Sequence, residues 1–136
     1  EIGKLQAVCP DSDIIVAGIT PITPSSTFSS NTTIQQYNAA LEQAITQLGK
    51  ENVAYFDAFS IVVDPATGGL ADQYSAGDGV HLGTDSYPAL LEALYPLLDQ
   101  MPVPPGFPEL EQQILSAETT ASGETTTETL SDARGN

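Results

Sequence analysis

The sequence predicts an α/β fold with parallel strands, and three observations support this prediction. Two short apolar stretches have the length and the β-branched or aromatic content of strands. Two longer stretches repeat apolar residues every three or four positions, as amphipathic helices do. These elements alternate in the order strand, helix, strand, helix, which is typical of parallel sheets with right-handed crossover connections.

The first strand is predicted over residues 13–20, an apolar run between Pro10 and Pro21. Because the run is apolar throughout rather than alternating, we expect a strand buried on both faces, as in a parallel sheet. Residues 1–9 are expected to form the end of a preceding helix. Cys9 is the only cysteine, so it has no partner for a disulfide within the chain, and we expect it to be a half-buried apolar residue.

A long helix is predicted after a Pro-, Ser- and Thr-rich loop at residues 21–31. Its apolar stripe has the spacing of one helix face and consists of Ile34, Tyr37, Leu41, Ile45 and Leu48. Such a stripe faces a core, so we expect these side chains to be buried. Asn31 or Thr32 is the expected N-cap, and Gly49 suits the left-handed conformation that follows many helices.

The second strand is predicted over residues 53–59, whose aromatic side chains we expect in the core. Asp57 lies near its carboxyl end, where ligands collect in open α/β sheets, although capping is the role we expect for it. The apolar residues of the last helix have helical spacing and are Leu90, Leu91, Leu94, Leu97 and Leu98. Thr84 or Asp85 is its expected cap, and Pro88 is tolerated in the first turn, where no N–H is needed.

The composition changes near residue 102. Residues 102–136 are rich in Pro, Thr and Glu, and too few of them could enter a core, so we expect a disordered tail. Residues 1–101 are predicted to hold the folded part. Because a sheet of two strands leaves both edges unpaired, we expect residues 1–101 to be part of a larger domain and to need its N-terminal half for stability.

The chain is strongly acidic, with 18 acidic and 3 basic side chains and a net charge of −15 at pH 7. Nucleic acids and anionic membrane surfaces require clustered Lys and Arg, so the charge argues against both as partners. No apolar run approaches the ~20 residues that span a bilayer. A composition rich in Ser and Thr and poor in Lys favours an extracellular or secreted protein. A non-catalytic acidic interaction or structural module is one alternative for the function.

The candidate functional residues are Asp78 and His81, in the run Ser75-Ala-Gly-Asp-Gly-Val-His-Leu-Gly83. His81 is the only histidine, and histidine is the residue type whose ordinary pKa lies nearest neutrality, so acid–base chemistry would pass through it. An aspartate three residues earlier, on a glycine-flanked loop, can accept the proton of one ring nitrogen and leave the other for a substrate or nucleophile. A hydrogen-bonded turn without catalysis is the alternative.

Metal and cofactor sites are not expected. The spacing of calcium-loop ligands is not found in the set Asp72, Asp78, His81 and Asp85. A zinc site would need more His or Cys. No Gly-rich phosphate-binding loop follows either strand, which disfavours a flavodoxin-type ligand-binding domain.

Four segments together resemble the SGNH (GDSL-type) hydrolase family. Asp78-Gly-Val-His81-Leu-Gly is similar to the family's Asp-x-x-His block, which lies between the last strand and the C-terminal helix. Residues 9–21 resemble the preceding strand, Tyr37-Asn38-Ala-Ala-Leu41 resembles the helix after it, and residues 53–57 resemble the last strand. The segments follow one another in the family's order over most of residues 1–101.

The resemblance implies the C-terminal portion of a flavodoxin-like, three-layer α/β/α domain that hydrolyses a small-molecule or carbohydrate ester. It implies that His81 is the general base and that Asp78 orients it. The family's nucleophile lies in a Gly-Asp-Ser motif and its oxyanion hole uses Gly-x-Asn-Asp. Neither motif occurs here, and Ser12 follows Pro-Asp instead. The resemblance therefore implies that the 136-residue chain carries only the Asp and His of a triad and is inactive alone.

Overall fold

The structure, a computed structural model, describes residues 1–102. In chain order its elements are α1 (Ile2–Val8), β1 (Ile14–Ala17), α2 (Asn31–Leu48), β2 (Val53–Phe56), α3 (Ala58–Val62), a 3-10 turn (Asp72–Tyr74) and α4 (Ser86–Gln100). The two strands pair in parallel, with Ile14 beside Val53 and Ala17 beside Phe56. The predicted α/β class is confirmed. The predicted disordered tail lies, beyond Pro102, outside the described residues.

The strands are shorter and less buried than the sequence indicates. β1 ends at Ala17, and in both strands Val53 is the one buried residue. The prediction of full burial is wrong for these residues because the sheet, within residues 1–102, consists of two strands. Each strand therefore has one neighbour and one open edge. The predicted helix before β1 is present as α1, but none of its residues is buried, and Cys9 at its end is exposed rather than half-buried.

The chain turns into α3 directly after β2, a helix that the sequence did not predict. Asp57 is its N-cap: Oδ1 accepts the Ser60 N–H at 3.2 Å and Oδ2 accepts the Ser60 hydroxyl at 2.5 Å. The capping role predicted for Asp57 is confirmed. The strand predicted up to Phe59 ends early because this cap starts a helix. Phe59 is buried as expected, but from α3, whereas Tyr55 and Phe56 are half-buried.

The helix α2 occupies the predicted range but begins differently. Ser30, rather than Asn31 or Thr32, is the N-cap, and its hydroxyl accepts the Thr33 N–H at 3.1 Å. Gly49 follows the helix with a φ of 62°, in the left-handed conformation predicted for it.

The core-facing side of α2 is narrower than the predicted stripe. Its buried or half-buried members are Ile34, Leu41 and Ile45. Tyr37 is 55% exposed and Leu48 is 39% exposed, so the expectation of a core position is wrong for these two. An amide takes part in this face instead, since Asn38 is buried with 6% exposure.

The helix α4 starts at Ser86, and no side chain forms a capping hydrogen bond at its N-terminus. Asp85, one of the two residues predicted as the cap, occupies the N-cap position, but its side chain makes no capping hydrogen bond. The fully buried Ser86 hydroxyl donates instead to the Gly83 carbonyl at 2.7 Å. Of the predicted leucine positions, Leu91 and Leu98 are exposed, and the other three are half-buried.

The core cluster that supports the candidate site joins three elements. Ile22 from the loop after β1, Ile34 from α2 and Phe59 from α3 pack together. Val63 and Val80 pack against this cluster. Val80 lies between the two candidate residues, so the core holds their loop in place. In the part of the chain that the structure describes, the helices are too short or too polar to cross a bilayer.

Candidate functional site

The two candidate residues lie in one closed bend, residues 75–83, between the 3-10 turn and α4. Ser75 and Leu82 form an antiparallel bridge at its base. The Ala76 N–H donates to the His81 carbonyl at 2.9 Å and closes the next rung. The sequence analysis predicted a glycine-flanked loop here, and these hydrogen bonds close that loop into a bend.

Two glycines allow the bend to turn. Gly77 and Gly79 have φ values of 92° and 85°, which residues with a β-carbon rarely adopt. The Gly79 carbonyl accepts the Thr23 N–H at 3.0 Å, so the tip of the bend is attached to the loop after β1. A β-carbon on Gly79 would lie 3.0 Å from the Thr23 hydroxyl oxygen. The bend therefore lies close against Thr23.

The Asp78 carboxylate organises the tip of the bend. Oδ1 accepts the backbone N–H groups of Val80 and His81 at 2.9 and 2.8 Å. Oδ2 lies 2.5 Å from the His81 Nδ1. One carboxylate thus fixes the backbone conformation with one oxygen and the orientation of the imidazole with the other.

These hydrogen bonds also set the protonation of the pair. The N–H groups of His81 and Val80, followed by the imidazole, lower the pKa of Asp78 from its usual 3.8 to about 2. Asp78 is therefore ionised at neutral pH and can only accept hydrogen bonds, so the proton between the two groups belongs to His81 Nδ1. In the neutral ring the lone pair is then on Nε2.

The imidazole is open to solvent. The His81 side chain is 79% exposed and the Asp78 side chain 50%. Among residues 1–102, no group forms a hydrogen bond with the His81 Nε2. The arrangement can accept a proton from a group that approaches the exposed nitrogen, while Asp78 stabilises the imidazolium that forms. The structure brings the two predicted residues together, and their catalytic role stays a prediction.

An open depression of about 440 Å³ lies beside Asp78. Side-chain hydroxyls supply much of its polar lining, and these belong to Thr23, Ser25, Ser26 and Ser75. Among residues 1–102, no three His, Cys, Asp or Glu side chains are arranged to hold a metal ion. Besides these hydroxyls, the carboxylates of Asp72 and Asp78 line the depression.

The sequence analysis named two asparagines of α2, Asn31 as a cap and Asn38 within the resemblance, but missed the structural role of both. Asn38 accepts the Ile19 N–H and donates to the Ile19 carbonyl, both at 2.8 Å. Asn31 forms the same pair of bonds with Ile22, at 2.9 and 2.8 Å. The available signal was their seven-residue spacing on α2, which places both amides on one face, two turns apart. Each amide binds both the N–H and the carbonyl of one residue in the loop after β1.

Comparison with known proteins gives one informative match. No protein-family model and no curated protein matches the chain. The solved structure of a "putative platelet activating factor from Streptococcus pneumonia" is similar, with 26% sequence identity and a TM-score of 0.63. The similarity covers 71% of this chain and 46% of the streptococcal chain. The present chain thus spans a little under half the length of that protein.

This likeness agrees with the α/β fold of helices and a parallel sheet that the structure describes.

Proposed function

We propose that residues 1–102 belong to a carboxylic ester hydrolase of the SGNH type, in which Asp78 and His81 are the acid–base part of a Ser-His-Asp triad. The observation that carries this proposal is the 2.5 Å contact between Asp78 Oδ2 and His81 Nδ1, with the rest of the ring exposed. The resemblance of four sequence segments to the family and the similarity to the streptococcal structure support it. The flavodoxin-like, three-layer architecture is part of the same proposal.

In the proposed reaction, a serine outside the described residues attacks the carbonyl carbon of the ester. His81 Nε2 takes the serine proton as the new C–O bond forms, and Asp78 stabilises the resulting imidazolium without accepting the proton itself. The imidazolium then protonates the leaving alcohol as the original ester bond breaks. Water repeats both steps on the acyl-enzyme, which releases the carboxylic acid and restores the serine.

The low pKa of Asp78, about 2, suits this role. A carboxylate that stays ionised throughout the cycle stabilises the imidazolium by its charge and holds the ring with the unprotonated nitrogen outward. Removing that charge leaves the ring free to adopt the other tautomer, in which Nε2 carries the proton and cannot act as a base.

For the substrate we propose a small-molecule or carbohydrate ester. The hydroxyl-lined depression beside Asp78 supports an alcohol portion that itself carries hydrogen-bonding groups. An extracellular location belongs to the same proposal and is tested by fractionation of the source cells.

The proposal is tested by hydrolysis of p-nitrophenyl acetate by the complete gene product that contains these residues. We expect His81→Ala and Asp78→Asn each to lower kcat/KM by roughly 10³- to 10⁴-fold. Asp85→Asn is the matched control because its carboxylate caps nothing, and it should retain the wild-type rate. Full activity in the His81→Ala variant, or equal losses in all three, would exclude the proposed triad. The 136-residue chain alone should show no hydrolysis that depends on His81.

A further inference from the structure

The loop that connects β1 to α2 links the helix to the candidate site. Ile22 and Thr23 lie between two sets of hydrogen bonds. On one side, both backbone groups of Ile22 bind the Asn31 amide at 2.9 and 2.8 Å. On the other side, the Thr23 N–H donates to the Gly79 carbonyl at 3.0 Å, and the Thr23 hydroxyl lies 3.4 Å from the same oxygen.

The position of Ile22 is fixed by more than one contact. Its side chain is buried in the core cluster, and its carbonyl also accepts the Leu70 N–H at 2.9 Å. Both backbone groups of Ile22 are therefore hydrogen-bonded while its side chain is buried, and these contacts hold the next residue, Thr23, against the bend. Gly79 directly follows Asp78, so a shift of Thr23 moves the backbone from which the catalytic carboxylate projects.

We propose that Asn31 is a positioning residue, which holds the Asp78–His81 bend in its hydrogen-bonded shape through Ile22 and Thr23. This inference rests on the function proposed above for its catalytic meaning, but the structural coupling can be measured without any activity. The hydrogen bonds of the Asn31 side chain within residues 1–102 go to Ile22 and not to the bend, and Ser30 rather than Asn31 caps α2. The hydrogen bonds of the Asn31 amide are therefore made with the loop that connects β1 to α2.

Asn38 provides a matched control on the same helix face. It forms the same two bonds with Ile19, three residues before Ile22, and Ile19 makes no hydrogen bond to the bend. Loss of either amide removes two hydrogen bonds between α2 and the same loop. Only the loss of Asn31 releases the residue next to Thr23. A difference between the two variants therefore reports on positioning and not on global stability.

The experiment compares Asn31→Ala and Asn38→Ala with wild type in the full chain by NMR. We expect amide hydrogen exchange at Thr23, Val80 and His81 to become about fivefold faster or more in Asn31→Ala, the size of one lost hydrogen bond, and to change less than twofold in Asn38→Ala. The Asp78 carboxyl should also titrate closer to its ordinary pKa of 3.8 in the Asn31 variant alone. A variant that is merely less stable would not move this titration.

Two outcomes would overturn the proposal: equal effects of the two substitutions on the bend, or unchanged exchange in Asn31→Ala. If Asn31→Ala does not fold, the same measurements compare Asn31→Asp with Asn38→Asp, and the same criteria apply. Each of these substitutions keeps the side-chain acceptor and removes the donor. In the active gene product, Asn31→Ala should lower kcat with little change in KM. If no hydrolysis exists but the NMR differences do, the ester hydrolase proposal fails and the positioning role stands.

Discussion

Substitution of the glycines in the bend tests how closely it lies against Thr23. Gly77 and Gly79 have nearly the same positive φ, 92° and 85°. They differ in their surroundings, because a β-carbon on Gly77 meets nothing within 4 Å, whereas one on Gly79 lies 3.0 Å from the Thr23 hydroxyl oxygen. Gly77→Ala thus introduces backbone strain alone, and Gly79→Ala introduces the same strain together with displacement of Thr23.

The two effects have different sizes. A β-carbon at positive φ costs roughly 1–2 kcal/mol, and the reduced freedom of the unfolded chain offsets roughly 0.4–1 kcal/mol of this. We therefore expect Gly77→Ala to lower the free energy of unfolding by about 0.5–1 kcal/mol. Displacement of Thr23 weakens its hydrogen bond to the Gly79 carbonyl, which adds about 1 kcal/mol in Gly79→Ala.

Thermal unfolding followed by circular dichroism separates the two variants. A difference of about 1 kcal/mol corresponds to about 4–8 °C in Tm if residues 1–101 unfold alone and to about 2–4 °C within a larger domain of roughly 150–250 residues, with Gly79→Ala the lower in either case. Equal Tm values would show that Thr23 does not confine the tip of the bend. A larger loss in Gly77→Ala would contradict the assignment of the close contact to Gly79.

Three further predictions concern charge and burial. The pKa of Asp78 in the folded state is lowered to about 2. The stability that its carboxylate contributes is therefore fully present above about pH 4 and is lost as the pH falls towards 2. The stability advantage of wild type over Asp78→Asn should shrink in that pH window and not near neutrality. Ser86→Ala should lower the free energy of unfolding by about 1–2 kcal/mol in urea titrations, since the buried hydroxyl donates to the Gly83 carbonyl at 2.7 Å; no change would mean that this bond is not formed. Phe59→Ala should cost roughly 3–5 kcal/mol because it empties the core cluster, and a loss below about 1 kcal/mol would contradict the packing described.

Local sequence patterns were sufficient to predict most elements and the contact within the site. Hydrophobic spacing and a terminal glycine located α2, and an aspartate three residues before a histidine located the bend. Both signals act over a few residues, within one turn or one element. The α/β class followed from the alternation of such elements.

The errors arise where a side chain's role depends on distant neighbours. Tyr37 has the spacing of a core residue, but no element among residues 1–102 covers it, so it is exposed. Asparagine is a residue type that often caps helices, but the Asn31 amide binds Ile22 instead. This partner lies nine residues earlier, and the helix pattern does not reveal it. The end of β2 is set by Asp57, which caps a helix. The aromatic residues around Asp57 have the pattern of a strand, so the local pattern contains no sign of this helix.

The tautomer of His81 is the most direct measurement of the proposed site. His81 is the only histidine in the chain, so a ¹⁵N spectrum of the imidazole nitrogens contains signals from this ring alone. In the neutral ring we expect the proton on Nδ1, held by Asp78, and an unprotonated Nε2, with the balance shifting towards Nε2–H in Asp78→Asn. A neutral ring that carries its proton on Nε2 in the wild type would contradict the proposed acid–base role of the pair.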